Sequence, residues 1–483
     1  YDGFADRPRP LVEREHRIGV GADHDVSLAS VAAAVPDVVA VSLIESYADP
    51  GREIALEQRL TAALDAPILR SSLVSPEFRE YERTATTVLS AYLTPAVAGY
   101  LRALDERLPM DRRLVMTSSG GLLPFSRAPG VAGRLVLSGP AGGALAAAAL
   151  GRHHGFGTII SFDMGGTSTD VSRITGGELA VGTGHRVGGR INRVPAIPIR
   201  TIGAGGGSIG WLDPGGALRV GPRSAGAAPG PAAYDQGGTE PTVTDANLVA
   251  GHLPADLALG GTVRLRPARA HAAVSRLARA MDLDVETAAA GMLEVVDSHM
   301  EHALRSVTVE EGSDPREAVL VAFGGAGGLH ATRLARRLGI STVLVPPLSG
   351  VFSALGLLLA TPRTDLARTV MSAEGAGELS TMRAELEAEV AIRYQDTFGD
   401  QPAALETSAD VRYRGQSHEL TIPADAGWTE LRRDFELAHL QRFGFDRREE
   451  PLELVNVRSV ASGVAHMAWS DLPPVASEGS GYG

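Results

Sequence analysis

No cysteine occurs in this chain of 483 residues, which excludes disulfides, thiolate nucleophiles, iron–sulfur clusters and cysteine-ligated zinc. Lysine is missing too. All 45 basic residues are arginine, so a Walker-type phosphate-binding lysine, a pyridoxal Schiff base and a biotinyl attachment point are all ruled out. Positive charge is scarce: the formal net charge is −12, and no basic run or aromatic-studded basic patch offers a seat for nucleic-acid phosphates. Small molecules and protein partners fit this balance better. Only one long apolar run is present, residues 343–360, and it is interrupted by Pro346, Pro347, Gly350 and Gly356. It therefore reads as a buried strand, turn and helix, not a membrane span. From Tyr1 onward there is no charged-then-apolar leader of the signal or transit type, and the expected setting is a reducing, cytoplasmic one.

Against these absences stands 44% hydrophobic content with 21% charged residues, enough for the cores of two to four domains. Glycine (57) and proline (29) together are well above the usual share, so much backbone is committed to tight turns and glycine-lined sites are expected. Residues 1–113 alternate strand-like pieces such as 38–43 with helix-like ones such as 80–104, an α/β pattern. A second α/β segment, 114–362, opens with a strand-like run and the turn 118–121, and carries nearly all the glycine-rich chemistry; within it, 183–254 reads as an ordered loop-and-strand insertion. Residues 363–470 read as a small C-terminal α+β unit, with a helix near 379–398 and strands near 408–413 and 418–422, and 471–483 as a tail.

The sharpest motif is residues 158–172, TIISFDMGGTSTDVS, where an apolar strand ends at Asp163, turns at Gly165 and Gly166, and resumes as a strand beyond Asp170. Glycines let backbone amides approach phosphate oxygens, the hydroxyls of Thr167, Ser168 and Thr169 add donors, and two carboxylates flank the turn where Mg²⁺ would bridge them to phosphate. The competing reading is a plain Gly-Gly hairpin with a polar tip. A second cluster, 322–330 (AFGGAGGLH), joins a strand to a helix-like run and makes a nucleotide seat or simply a tight turn. It does not meet the dinucleotide fingerprint, because His330 occupies the last required position. A third, 203–210 (GAGGGSIG), contains the spacing of a serine-hydrolase elbow around Ser208, but turn residues follow where a helix is required, so it reads as a flexible glycine loop. His299, Glu301 and His302 have helical spacing for metal ligation, with a solvated surface as the commoner alternative; the His153 and His154 pair reads as surface.

Taken in order, these motifs resemble the hydantoinase A/5-oxoprolinase family. The resemblance also rests on residues 75–84 (SPEFREYERT), 138–143 (SGPAGG), 237–247 (GGTEPTVTDAN) and 412–416 (RYRGQ). It implies an actin-like ATPase fold of the sugar-kinase and heat-shock-chaperone type, two α/β lobes that clasp ATP. Asp163, Gly165, Gly166, Thr167, Thr169 and Asp170 then correspond to a phosphate loop, and Gly324, Gly325, Gly327 and Gly328 to an adenosine loop. Asp163 and Asp170 are the implied catalytic and metal-binding carboxylates, with ATP and Mg²⁺ as cofactors and a hydantoinase B-type subunit as partner. The family often has proline where Gly328 stands and cysteine where Ala233 stands, and it opens with another phosphate hairpin, expected upstream of Tyr1. The implied activity is ATP-dependent ring opening of a cyclic amide or imide. The alternatives are the ATP-using subunit of an acetone or acetophenone carboxylase, or a non-catalytic nucleotide-binding scaffold.

Overall fold

The computed structural model describes residues 8–21, 27–256, 258–261, 263–373 and 376–472. The chain forms two compact units, each assembled from separate stretches: Tyr1–Ser138, Gly182–Ala196 and Ala360–His466 in the first, Gly139–Val181, Ile197–Leu359 and Met467–Gly483 in the second. The α/β character expected from the sequence is present throughout.

The second unit is built on a five-stranded sheet in the order Thr342–Leu344, Val319–Phe323, Thr158–Met164, Thr169–Thr175, Arg200–Ile202. Its first three strands run parallel, the fourth returns antiparallel, and the fifth is antiparallel to the fourth. Buried strands of this kind are apolar on both faces. Here Ile160, Phe162, Met164, Leu320 and Ala322 pack into one core with Met292, Val296 and Met300 of the helix Val285–Ser306, while Ile159, Val321 and Phe323 pack into another with Ala146, Ala147 and Leu150 of the helix Ser138–His154. The Val285–Ser306 helix forms because Ala288, Met292, Val296, Met300 and Ala303 recur at helical spacing on its buried side, and Asp284 caps its start by accepting from the Thr287 amide. Close approach on the other face needs glycine. A Cβ on Gly356, in the helix Phe352–Leu359, would lie 1.9 Å from the Gly142 carbonyl oxygen.

The first unit contains a four-stranded antiparallel sheet, Arg363–Ser372, Leu452–Ser462, Ala404–Tyr413, Leu420–Pro423, and the helices Ala376–Phe398 and Trp428–Phe443. Leu386, Val411, Tyr413, Phe435, Leu454 and Val457 share its core. Upstream in the same unit are the parallel strand pair Val39–Val41 and Ile68–Arg70 and the long helix Glu80–Asp105. Buried charge joins these pieces: Glu77 accepts from Arg193 Nε at 2.9 Å and from both terminal nitrogens of Arg458 at 2.6 and 2.9 Å. Asp410, with no exposed surface, receives Arg458, Asn456 and Thr421. Stretches distant in sequence thus pack as one unit.

The apolar run 343–360 does become strand, turn and helix, yet it is only partly buried. Phe352 and Leu359 face inward, whereas Val345, Leu348 and Val351 are each more than half exposed. Among the described residues no single helix is long and apolar enough to cross a membrane.

Candidate functional site

The strands Thr158–Met164 and Thr169–Thr175 pair so that Asp163 stands directly opposite Asp170. Opposed residues of an antiparallel ladder project from the same face, with Cβ atoms roughly 5 Å apart. The four residues between the strands close through a 3.0 Å hydrogen bond from the Gly165 amide to the Ser168 carbonyl, and Gly166 and Thr167 are exposed at the tip. Each carboxylate has one hydroxyl partner: Ser353 donates to Asp163 Oδ2 at 3.0 Å, and Thr201, opposite Asp170 on the neighbouring strand, donates to Asp170 Oδ1. Burial pushes both carboxyls above the ordinary carboxylate value, against the pull of those hydroxyls, and the charge of Asp163 raises Asp170 further. Two desolvated, mutually repelling carboxylates beside an exposed glycine turn suit a divalent cation that draws its remaining ligands from phosphate and water. Among the described residues, no group of three or more histidine, aspartate or glutamate side chains is arranged to hold a metal by itself.

Residues 324–328 meet this hairpin because their strand is the next one in the sheet, with Phe323 in register with Asp163. Gly324 has φ +80°, and a Cβ there would fall 2.4 Å from Asp163 Oδ1 and 2.5 Å from the Met164 carbonyl oxygen, so only glycine fits. The Ala326 amide donates to the Met164 carbonyl at 2.9 Å, and Gly327 opens the helix Gly327–Leu338. Gly325 and Gly328 are exposed; Gly327 is buried. The two clusters singled out from sequence therefore adjoin.

The third cluster is not a flexible loop. Gly206 and Gly207 donate their amides to the Gly165 and Gly166 carbonyls at 3.0 and 2.6 Å, and a Cβ on Gly205 would lie 2.6 Å from the Thr167 nitrogen. These glycines let one backbone lie flat against another and hold the hairpin's turn in place. Ser208 is fully buried, its hydroxyl accepting from the Gly205 amide at 2.9 Å, so it stabilises the loop and is not a nucleophile. Thr169 also differs from expectation. Its side chain is fully buried, and its hydroxyl donates inward to the Ala204 carbonyl at 2.5 Å, which leaves Thr167 and Ser168 as the hydroxyls at the turn.

Sequence reasoning missed Ser353 and Thr201. Thr201 sits just before the third glycine run, a usable hint; Ser353 lies 190 positions from its partner with no local signature. His299 and His302 are exposed, and Glu301 pairs with Arg305 at 2.9 Å, so this trio is a solvated helix face.

The model of the hydantoinase/oxoprolinase family matches residues 83–366, more than half of the chain. The chain belongs to the hydantoinase/oxoprolinase family. Caprolactamase subunit alpha of Pseudomonas jessenii is 35% identical over 463 residues, covering 91% of this chain and 66% of that protein. 5-Oxoprolinase 1 of Arabidopsis thaliana is 34% identical over 459 residues, covering 88% of this chain and 36% of that protein. The chain thus spans about two thirds of the one relative and a little over one third of the other. Among solved structures, the ATP-dependent caprolactamase of Pseudomonas jessenii superposes with a TM-score of 0.79 at 32% identity, over 99% of this chain and 74% of its own. Nucleotide-free acetone carboxylase superposes with a TM-score of 0.71 at 28% identity, over 91% of this chain and 66% of its own. The family therefore includes ATP-dependent amide hydrolases and carboxylases.

Proposed function

We propose that the chain is the nucleotide-handling part of an ATP-dependent ring-opening hydrolase acting on a cyclic amide or imide, with an actin-like ATPase fold. One observation carries this reading: Asp163 and Asp170 share a sheet face beside an exposed glycine turn, and Gly324 abuts Asp163 at the head of a second glycine loop. In this reading Gly166, Thr167 and Ser168, on the turn that the Gly165 amide closes, receive the β- and γ-phosphates through backbone amides and hydroxyls, and Gly324, Gly325, Gly327 and Gly328 border the adenosine. Mg²⁺, seated by Asp163 and Asp170, would neutralise charge on the transferring phosphoryl group.

An unstrained amide carbonyl is a poor electrophile because resonance stabilises it. Transfer of the γ-phosphoryl group from ATP to the amide oxygen, releasing ADP, makes the carbon electrophilic enough for water to add. Collapse of that adduct with protonation of the nitrogen breaks the C–N bond and opens the ring as an acyl phosphate, which a second water hydrolyses to carboxylate and phosphate. In this reading Asp170, facing Asp163 across the ladder, orients the first water or the substrate. The name of the caprolactamase relative, a subunit alpha, supports a heteromeric enzyme, and in this reading the partner is a hydantoinase B-type subunit.

The test is ADP release from the chain and its B-type partner in the presence of lactams, hydantoins and 5-oxoproline. Release coupled to formation of a ring-opened amino acid supports the hydrolase. Release coupled to bicarbonate consumption with a ketone moves the protein to the carboxylase branch, and nucleotide binding without turnover on any of these substrates would leave the scaffold reading.

A further inference from the structure

His330 lies in the first turn of the Gly327–Leu338 helix, just after the second glycine loop, and its side chain is completely buried although it is polar and ionisable. Burial of such a group is unfavourable unless its polar atoms are matched. Nδ1 lies 2.6 Å from Asp297 Oδ1, and Nε2 lies 3.2 Å from Asn247 Nδ2. A proton on Nδ1 and a lone pair on Nε2 satisfy both contacts. Asp297 is itself buried, and Arg333 Nε caps its other oxygen at 2.7 Å. Asn247 is also held, its Nδ2 donating to the Val243 carbonyl at 3.1 Å and its Oδ1 lying 3.1 Å from His252 Nδ1.

The position of Asn247 gives this network a second end. Its helix, Val243–Val249, begins with a capping box on Thr242 and Asp245, and one turn before Asn247 the Thr244 amide and hydroxyl both donate to the Gly206 carbonyl at 2.8 Å. Gly206 in turn donates to Gly165. Hydrogen bonds at either end of one turn of helix backbone, Asn247 to His330 and Thr244 to Gly206, thus connect the start of the Gly327–Leu338 helix to the turn of the Asp163 hairpin.

We propose that His330, oriented by Asp297 and Asn247, is a positioning residue that couples the two glycine loops, so that ordering one orders the other. The inference deepens the nucleotide reading above. Its structural half stands without that reading, because the coupling is a property of the empty loops as well. Its effect on ligands is cooperative: the loop that meets adenosine pre-arranges the turn that meets phosphate, lowering the ordering required when the nucleotide arrives.

The experiment follows amide hydrogen exchange at Gly206 and Gly207 in the full chain, with strand Val319–Phe323 as internal reference, beside the affinity for Mg·tripolyphosphate. Asn247→Leu is expected to speed exchange at Gly206 and Gly207 at least tenfold and weaken Mg·tripolyphosphate at least fivefold, leaving the reference strand within twofold. Thr244→Val should do the same, and the double variant should add little. Should Asn247→Leu not fold, Asp297→Asn, which keeps the buried shape, gives the same pattern at smaller amplitude. Faster exchange confined to the start of the Gly327–Leu338 helix, or rising uniformly through the sheet, overturns the coupling. If the unaltered chain binds neither Mg·tripolyphosphate nor Mg·ATP, the nucleotide reading fails, and the exchange pattern still decides the coupling.

Discussion

The two units hold their shapes by opposite means. In the second, the candidate site is backbone against backbone: glycines at 205, 206, 207 and 324 let carbonyls and amides meet where any Cβ would collide. In the first, side-chain charge does the joining, with Glu77, Asp410, Arg193 and Arg458 nearly or wholly buried and paired. Backbone clasps fix geometry at the expense of sequence freedom, because only glycine fits. Buried ion pairs tolerate distance in sequence but contribute little net stability unless every partner is present.

The largest effect is expected where a buried charge loses its partner. Arg458→Met leaves Glu77 and Asp410 without their main cation, and unfolding by denaturant should show a loss of about 3–5 kcal/mol with the amides of the candidate site unaffected. A loss below 1 kcal/mol would mean that the charge cluster is not what joins the first unit. Next comes Gly324→Ala, which forces a methyl into Asp163 and Met164 at a positive φ; roughly 2–4 kcal/mol of destabilisation and loss of Mg·ATP binding should appear together in melting and titration experiments.

Acid separates the two regions. Burial alone would raise Glu77 and Asp410, but the charge and hydrogen bonds of Arg458 overcome it and hold both carboxyls below their ordinary values of 4.5 and 3.8. Their contribution is thus complete above those values and disappears as pH falls through the lower folded ones, below about pH 4. Asp163 and Asp170 shift the other way, raised above 3.8 chiefly by desolvation, so their ionisation opposes folding and acid relieves it. On acidification, Mg·ATP affinity should therefore decline first, at a pH above 3.8, while the first unit keeps its stability until the pH is lower still. Titrations and unit-resolved hydrogen exchange from pH 7 to 3.5 check this, and the reverse order would contradict it. The smallest effect belongs to Ser353→Ala, which removes one hydrogen bond to Asp163 and should cost about 1 kcal/mol of Mg·ATP affinity.

Much of the site was legible because its chemistry is local. Residues 163–170 carry two carboxylates, two glycines and three hydroxyls within one turn, and a strand-loop-helix pattern frames residues 322–330. Helix Glu80–Asp105 and two strands of the C-terminal sheet, Ala404–Tyr413 and Leu420–Pro423, followed from periodicity in the same way, whereas Arg363–Ser372 and Leu452–Ser462 did not. The third glycine run was misjudged as flexible because glycine composition is the same for a mobile loop and for a backbone packed against another; only the partner at 165–167 distinguishes them. Thr169 was misassigned for a related reason. Strand alternation turns its hydroxyl inward, toward Ala204, a contact that depends on the position of residue 204. The clasp between Glu77 and Arg458, 381 positions apart, has no local trace at all.

The account rests on Asp163 and Asp170 forming, with the adjoining glycine loops, a seat for Mg·ATP. Calorimetric titration of ATP with and without Mg²⁺ into the chain and into Asp163→Asn tests it most directly. Mg²⁺-dependent binding that weakens at least tenfold in Asp163→Asn is the predicted result; equal affinity in the two proteins, or no binding by the unaltered chain, would contradict it.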